Sequence, residues 1–135
     1  MKTQTISFGD FMKQKRLERE KLQSDIAKIL DISVSYVSEV ERGCRLPFDN
    51  DKLEKYAEYL SFTREEKARM YDLASRQTKE IPADIAETFI YDDVGDMARF
   101  ALREFQAGNL EEEDWKDFIR KAEENKRKRK EGGGE

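Results

Sequence analysis

Residues 26–43 read IAKILDISVSYVSEVERG, and this stretch decides the fold of the N-terminal part of the chain. Its apolar residues follow helical spacing on both sides of Asp31, which predicts two short helices joined by a tight turn. Ala27 is small where the helices approach, Asp31 tolerates the left-handed backbone conformation of a turn, and Ile32 fills the core between them. The segment therefore predicts two helices that cross steeply.

The second of these helices has an unusual outward face. Ser33 is positioned to cap it, Val37 and Val40 face inward, and Gly43 provides a left-handed stop. The outward side carries short polar residues in place of long charged ones: Ser35, Ser38 and Glu39. Such a face lets a helix enter a groove closely enough for hydroxyl groups to reach base edges or phosphates.

Three further helices flank this pair. An amphipathic helix begins after Ser7, a fourth helix carries apolar residues at i, i+3, i+4 and i+7 from Leu53, and Thr63 with Glu66 forms a capping box that opens a fifth. The chain has only two prolines and no alternating strand pattern. We therefore predict an all-α fold with a five-helix domain over residues 6–79.

A second region, residues 80–125, predicts a short C-terminal helical region. Its apolar residues indicate one short helix around Phe89, a longer one ending near Gly108 and a last one capped by Asn109. About 45 residues are too few for a robust independent core, so this region is expected to pack on the first domain or on a second copy of itself. Residues 126–135, KRKRKEGGGE, predict a basic, Gly-rich disordered tail.

At this point the sequence resembles the lambda-repressor-like, Xre-type helix-turn-helix family. The resemblance covers roughly residues 6–60. It rests on Phe8-Gly9, Arg16, the segment quoted above, the following ERGCRLP of residues 41–47 and the helix around Ala57. It implies a DNA-binding domain whose recognition helix, Ser33 through Glu41, lies in the major groove of double-stranded DNA.

The resemblance also implies roles for individual residues. Those that would face the bases are Val34, Ser35, Ser38 and Glu39. Those that would lie near the DNA backbone are Gln23, Ser33, Tyr36, Arg42 and Arg45. Gln23 would bond a phosphate and brace the recognition helix. Arg16 and Glu41 occupy the places of a structural ion pair that the family has between its first helix and the end of its recognition helix.

Two positions depart from the family pattern. Lys21 and Leu22 stand where the family has a core Leu and a capping Ser or Thr. Either the loop is one residue shorter and Ser24 caps the helix, or the phosphate contact of Gln23 is in question. Asp31 replaces the customary glycine of the turn, at little cost because Asp tolerates the left-handed conformation.

Composition excludes several kinds of site. The chain has no histidine and one cysteine, Cys44, so a His/Cys zinc site, a Ser-His-Asp triad and a disulfide framework cannot form within it. We expect no catalytic residues, metal or cofactor, and we interpret Cys44 as a tolerated turn residue in preference to an oxidation sensor. The absence of a signal-peptide pattern and of a long apolar run predicts a cytoplasmic protein without membrane contact.

Charge is spread unevenly along the 135 residues, whose net charge is −4. Residues 1–47 carry nine Lys and Arg against seven Asp and Glu, whereas residues 81–125 carry five against thirteen. Because the local field over a binding face matters more than the total, an acidic chain is compatible with a DNA surface in its N-terminal part. The basic run 126–130 is interpreted either as a solvated tail or as a non-specific phosphate contact.

These features predict a sequence-specific repressor that binds a palindromic operator as a homodimer, with residues 80–125 as the dimerisation element. A looser resemblance, through residues 81–86 and the Trp115 helix, is to repressors of phages and mobile elements. The alternative is an antitoxin or adaptor that binds a protein partner, a toxin or a metallopeptidase, through residues 80–125 and autoregulates its operon.

Overall fold

The computed structural model describes residues 6–132, and every regular element within them is a helix. The eight helices are α1 Phe8–Glu18, α2 Gln23–Leu30, α3 Val34–Glu41, α4 Asn50–Tyr59, α5 Arg64–Thr78, α6 Ala86–Tyr91, α7 Asp93–Gln106 and α8 Glu112–Glu131. The predicted all-α fold, five N-terminal helices followed by a C-terminal helical region, is confirmed.

The N-terminal helices begin at the capping residues that the sequence predicts. Ser7, Ser33 and Thr63 each accept a 3.0 Å hydrogen bond from the backbone N–H three residues later. Glu66 completes the capping box, because its carboxylate accepts a 2.9 Å bond from the backbone N–H of Thr63. Each cap satisfies N–H groups that the helix itself leaves unpaired.

The first five helices enclose one core. α2 packs against α3 and α4, and α1 packs against α3 and α5. Within residues 6–132, all buried apolar side chains lie in the stretch from Phe8 to Ala74. Tyr56 is 1% exposed and donates its hydroxyl proton to the carbonyl oxygen of Met12 at 2.9 Å, so its burial leaves no polar atom unsatisfied.

Gly9 fixes how closely α1 approaches the end of α3. A Cβ atom at this position would lie 2.6 Å from the carbonyl oxygen of Val40 and closer still to that of Glu41. These are backbone atoms, so they cannot move aside as the tip of a side chain would. The backbone of α1 therefore contacts the backbone of α3 directly.

The chain divides into two units between Glu87 and Thr88, eight residues beyond the boundary that the sequence predicted. The second unit differs from the first in lacking a core. Of residues 88–132, only Gly95 is buried. One aromatic contact links two of its helices, between the rings of Phe105 and Trp115 at 6.2 Å.

Two expectations about the C-terminal region are corrected. Residues 126–131 are helical, because α8 continues to Glu131, and only residues 133–135 lie outside the described part. Lys and Arg are good helix formers and are favoured at the negative end of a helix dipole, which explains why the basic run extends α8. The last helix begins after Glu111, whose backbone N–H is accepted by Asp114 at 2.8 Å, while Asn109 donates to Glu104 and caps no helix.

None of the helices described between residues 6 and 132 is long and apolar enough to cross a membrane.

Replacing Gly9 with Ala tests the close approach of α1 and α3. In an exposed helix this change would stabilise by up to about 1 kcal/mol because Ala has the higher helix propensity. Here the new Cβ overlaps backbone atoms, so we expect the free energy of unfolding to fall by about 2 kcal/mol. Urea unfolding followed by circular dichroism measures it, with exposed Lys13→Ala on the same helix as the control. A more stable Gly9→Ala protein would contradict the contact.

Glu66 gives the domain a predictable pH dependence, because three donors surround its carboxylate. Burial raises its pKa, but the backbone N–H of Thr63, Lys15 at 3.0 Å and Arg19 at 2.7 Å outweigh burial and hold the pKa at about 2, against an ordinary 4.5. A lowered pKa stabilises the fold fully above the unfolded-state value, and this stabilisation is lost as the pH falls towards the folded-state value.

We therefore expect Glu66→Gln to lower the free energy of unfolding by about 2 kcal/mol at neutral pH, with the deficit shrinking as the pH falls from about 5 to about 2. Urea unfolding at several pH values in this range measures the difference. Glu58→Gln, which changes an exposed carboxylate on α4, is the matched control and should show no such trend. A deficit that stays constant with pH would disprove the assignment.

Candidate nucleic-acid interface

A short turn joins α2 to α3 in the way that residues 26–43 predict. Asp31 ends α2 in the left-handed conformation, at φ 57° and ψ 51°. The backbone N–H of Ile32 bonds the carbonyl of Ala27 at 3.0 Å, and the Ile32 side chain packs against the core. The turn therefore closes α2 and starts α3 within three residues, and Asp31 performs there the backbone role of a glycine.

α3 exposes the polar face predicted for it because its other face is anchored in the core. Val37 and Val40 are fully buried. At 100° per residue, the opposite side of the helix carries Ser35, Ser38, Glu39 and Arg42, with Val34 at its edge. Val34 and Ser35 are exposed, and Ser38 and Glu39 are half-buried. The predicted base-facing residues therefore share one accessible surface.

A buried ion pair joins α1 to the end of α3. Arg16 and Glu41 are each 5% exposed, and the guanidinium binds the carboxylate through two bonds, Nε to Oε2 at 2.7 Å and Nη2 to Oε1 at 3.0 Å. Arg16 also donates from Nη1 to the carbonyl oxygen of Lys21 at 2.9 Å. The Glu41 carboxylate raises the pKa of Arg16 above its usual range. Both charges are fully hydrogen-bonded inside the domain.

Gln23 joins the same group from the start of α2. Its amide nitrogen donates to Oε1 of Glu41 at 3.0 Å, which braces α2 against α3. The amide nitrogen carries a second hydrogen, which is the one a phosphate would accept. Of the two alternatives for this helix start, Ser24 as the cap is wrong, because α2 begins at Gln23 after Leu22. Leu22 has no side-chain acceptor, and Asp25 compensates in part by accepting its backbone N–H at 2.8 Å.

Arg45 is held beside the recognition helix by two contacts. Its guanidinium lies over the ring of Tyr36, 4.2 Å from the ring centroid, and its Nε atom is 3.0 Å from Oε1 of Glu39. The Tyr36 ring in turn contacts the Phe48 ring at 5.6 Å. Arg45 and Glu39 remain about half exposed, so this pair is open to solvent and to a ligand.

Arg42 continues the outward face beyond the end of α3. Its Nε atom donates to the hydroxyl of Ser38 at 3.3 Å, and Nη1 lies 3.8 Å from the sulfur of Cys44. Cys44 is an exposed thiol in the turn that follows. The guanidinium therefore lies along the same surface as the serine hydroxyls.

A groove of about 340 Å³ brings these elements together at the helix starts. It is lined by Ser7, Asp10, Lys13, Gln23, Ser38, Glu41 and Arg42. The positive ends of the α1 and α2 dipoles, Lys13 and Arg42 favour an anion here, whereas the Asp10 carboxylate opposes one. Sequence analysis did not single out Lys13 or Asp10, because only the fold shows that the start of α1 lies beside α2 and α3.

Within the described residues, no group of three or more His, Cys, Asp or Glu side chains could hold a metal ion. The polar groups that face solvent on this surface are serine hydroxyls, the Gln23 amide, the guanidiniums of Arg42 and Arg45, the Lys13 ammonium and the carboxylates of Asp10 and Glu39. These are the donors and acceptors that read nucleic acid.

Comparison with known proteins agrees with this geometry. A family model described as helix-turn-helix matches residues 12–67, which run from α1 into α5 and include the whole of α2 and α3. Searches of curated proteins and of solved structures found no match. The helix-turn-helix family consists of DNA-binding regulators and is not an enzyme family. Residues 12–67 of this chain are therefore a helix-turn-helix domain of the Xre, lambda repressor-like type, the DNA-binding domain of a transcriptional regulator.

Proposed function

We propose that this protein is a sequence-specific, cytoplasmic transcriptional repressor that reads a palindromic operator as a homodimer. The observation that carries the proposal is the outward face of α3, whose short polar side chains stand on a helix anchored by Val37, Val40 and the buried Arg16–Glu41 pair. A rigid helix with a short polar surface can lie deep in the major groove. Bound within a promoter, such a dimer excludes polymerase.

In this proposal Val34, Ser35, Ser38 and Glu39 face the bases. Serine hydroxyls both donate and accept hydrogen bonds, and Val34 offers an apolar contact to a thymine methyl group. Glu39 would accept a bond from a cytosine amino group. Because its carboxylate also binds Arg45 at 3.0 Å, it orients that arginine as well.

The DNA backbone would be bound by Gln23, Ser33, Tyr36, Arg42 and Arg45. Gln23 offers its second amide hydrogen at the start of α2, where the helix dipole favours a phosphate. Ser33 accepts the Tyr36 N–H through its oxygen and so keeps its own hydroxyl proton for a phosphate. Arg42 and Arg45 are exposed cations on the same surface.

The modest charge of this surface supports dimeric binding. Residues 1–47 carry only two more basic than acidic side chains, so phosphate attraction alone would give weak binding. Two half-sites about one helical turn apart would supply the missing affinity. In this proposal residues 80–125 join the two copies.

The second candidate is an adaptor or antitoxin that binds a protein, a toxin or a metallopeptidase, through residues 80–125. It is favoured by the exposed apolar side chains of the second unit, such as Met97 and Phe100 at 67% and 64% exposure. Co-purification from the native host with a stoichiometric partner that residues 1–80 alone cannot retain would support this reading. A shift of its own promoter by the protein alone would support the repressor.

Selection from random DNA duplexes, followed by footprinting, tests the main proposal. We expect a palindrome with half-sites about one helical turn apart, protected by the full-length chain. Failure to select or shift any duplex at moderate salt would refute DNA readout by α3.

Replacing Arg45 with Ala should weaken binding to every sequence alike. A lost phosphate contact lowers the salt slope, log K against log salt, by about 0.9 for each arginine. Without Arg45, the Glu39 carboxylate loses its 3.0 Å ion pair and repels phosphate, which also weakens binding to every sequence. Titration of operator and random duplexes at several salt concentrations measures both quantities. Arg69→Ala, which removes an exposed arginine of α5, should leave both unchanged. A loss confined to the operator would refute a backbone role.

Replacing Ser35 with Ala should instead change which operator is preferred. Among residues 6–132 the exposed Ser35 hydroxyl makes no hydrogen bond, so its removal leaves the domain intact and alters only what α3 can bond. Ser38→Ala should also change preference, and in addition it releases Arg42 from its 3.3 Å bond. A repeated selection with each variant measures this. An unchanged consensus for both variants would contradict base readout by these serines.

A further inference from the structure

α8 is a long helix whose contact with the rest of the described second unit is the ring contact of Trp115 with Phe105. It spans 20 residues, and among them only Trp115 is even partly buried. Phe118 and Ile119 are 69% and 55% exposed. A solvated helix rarely presents such side chains on one side unless another surface covers them.

The apolar side chains of α8 belong to a seam with coiled-coil spacing. Successive steps of three and four residues connect Glu112, Trp115, Ile119, Ala122, Lys126 and Arg129. This is the a/d pattern of a heptad repeat, with Phe118 beside it. The centre of the seam is apolar, its first position is acidic and its last two are basic.

On the opposite side of α8, Arg120 is paired with two carboxylates of the same helix. Arg120 donates to Glu113 at 3.0 Å and also binds Asp117. Glu112 and Arg129 at the ends of the seam have no ion pair within residues 6–132. The helix therefore pairs the outer Arg120 internally, whereas Glu112 and Arg129 at the ends of the seam remain for an external partner to pair.

We propose that this partner is α8 of a second copy of the chain, bound antiparallel. A two-fold axis between Arg120 and Lys121 would set Glu112 opposite Arg129, Trp115 opposite Lys126 and Ile119 opposite Ala122. Every layer then joins an a position to a d position, as antiparallel packing requires, and the large Ile meets the small Ala.

Parallel pairing of two α8 helices would place like charges opposite each other at the same two residues. It would set Glu112 against Glu112 and Arg129 against Arg129 of the second copy, and like charges at facing positions are destabilising. Charge complementarity therefore selects one orientation from a seam that apolar packing alone would leave ambiguous.

The exposed apolar surface is large enough for a stable dimer. Nine large apolar side chains of the second unit, on α6, α7 and α8, are between 44% and 78% exposed. At roughly 100 to 150 Å² each they offer on the order of 1,000 Å² per chain, against about 800 Å² for each partner of a standard interface. Phe118 and Ile119 are the two of these side chains that lie on α8, so the charges of α8 specify the orientation of that part of the surface.

Charge reversal tests the pairing. This inference rests on the proposed dimer, so the measured quantity is the dissociation constant of the full-length protein by sedimentation equilibrium, without DNA. Glu112→Lys and Arg129→Glu alone should each raise it at least about tenfold, because each creates two like-charge pairs across the two-fold axis. The double variant should restore it to within about threefold of the original, since opposite charges again face each other.

Neighbouring residues on the outer side of α8 provide matched controls. Glu113→Lys and Arg127→Glu make the same charge changes in the same helical turns and should leave the dissociation constant unchanged. A double variant as weak as the single ones would overturn the antiparallel register, and a monomeric wild-type protein would overturn the dimer. Reduced DNA affinity with an unchanged dimer in Arg129→Glu would assign the basic end to phosphate contact instead. Operator selectivity altered by Ser35→Ala is independent of all these outcomes, so recognition by α3 can hold where self-pairing fails.

Discussion

The buried pair of Arg16 and Glu41 is the interaction on which the DNA-binding surface depends. Arg16 comes from α1, Glu41 ends α3, and Gln23 from the start of α2 donates to the same carboxylate. A buried ion pair adds little net stability, because desolvation of both charges offsets their attraction. Its directional bonds instead fix the angle at which α3 leaves the core. Gly9 allows this arrangement, since any side chain there would push α1 away from the end of α3.

The two units of the chain differ in how much apolar surface they bury. The first unit contains every buried apolar side chain of the described residues and presents a small polar face, while the second unit contains no core and presents aromatic and aliphatic side chains. The first unit therefore folds around its own core, whereas the proposed pairing with a second copy would give the second unit the burial that it lacks. If the second unit dimerises as proposed, the DNA-binding domain would keep a fixed structure while assembly depended on protein concentration.

Sequence reasoning succeeded where the signal was local. Caps at Ser7, Ser33 and Thr63, the left-handed turn at Asp31 and the inward valines of α3 depend on neighbours within a few residues, and short-range patterns report such neighbours well. It was less accurate for Lys13 and Asp10, which join the groove only because α1, α2 and α3 meet in space. It also stopped α8 too early, since low apolarity was taken as disorder although the same lysines and arginines favour a helix end.

The proposed phosphate contacts and the proposed charged pairing between copies would both make operator binding sensitive to ionic strength. In the proposed complex, binding through Arg42 and Arg45 would lose affinity as salt rises, because releasing counterions into a more concentrated solution gains less free energy. In a dimer oriented by Glu112 and Arg129, salt also screens the pairs that join the two reading heads. A monomer would contact only one half-site. Weaker phosphate binding and weaker dimerisation would therefore both lower the occupancy of a palindromic operator as salt rises. In the proposed dimer, the apolar contacts of Trp115 and Ile119 would oppose this loss, because burial of apolar surface is not weakened by salt.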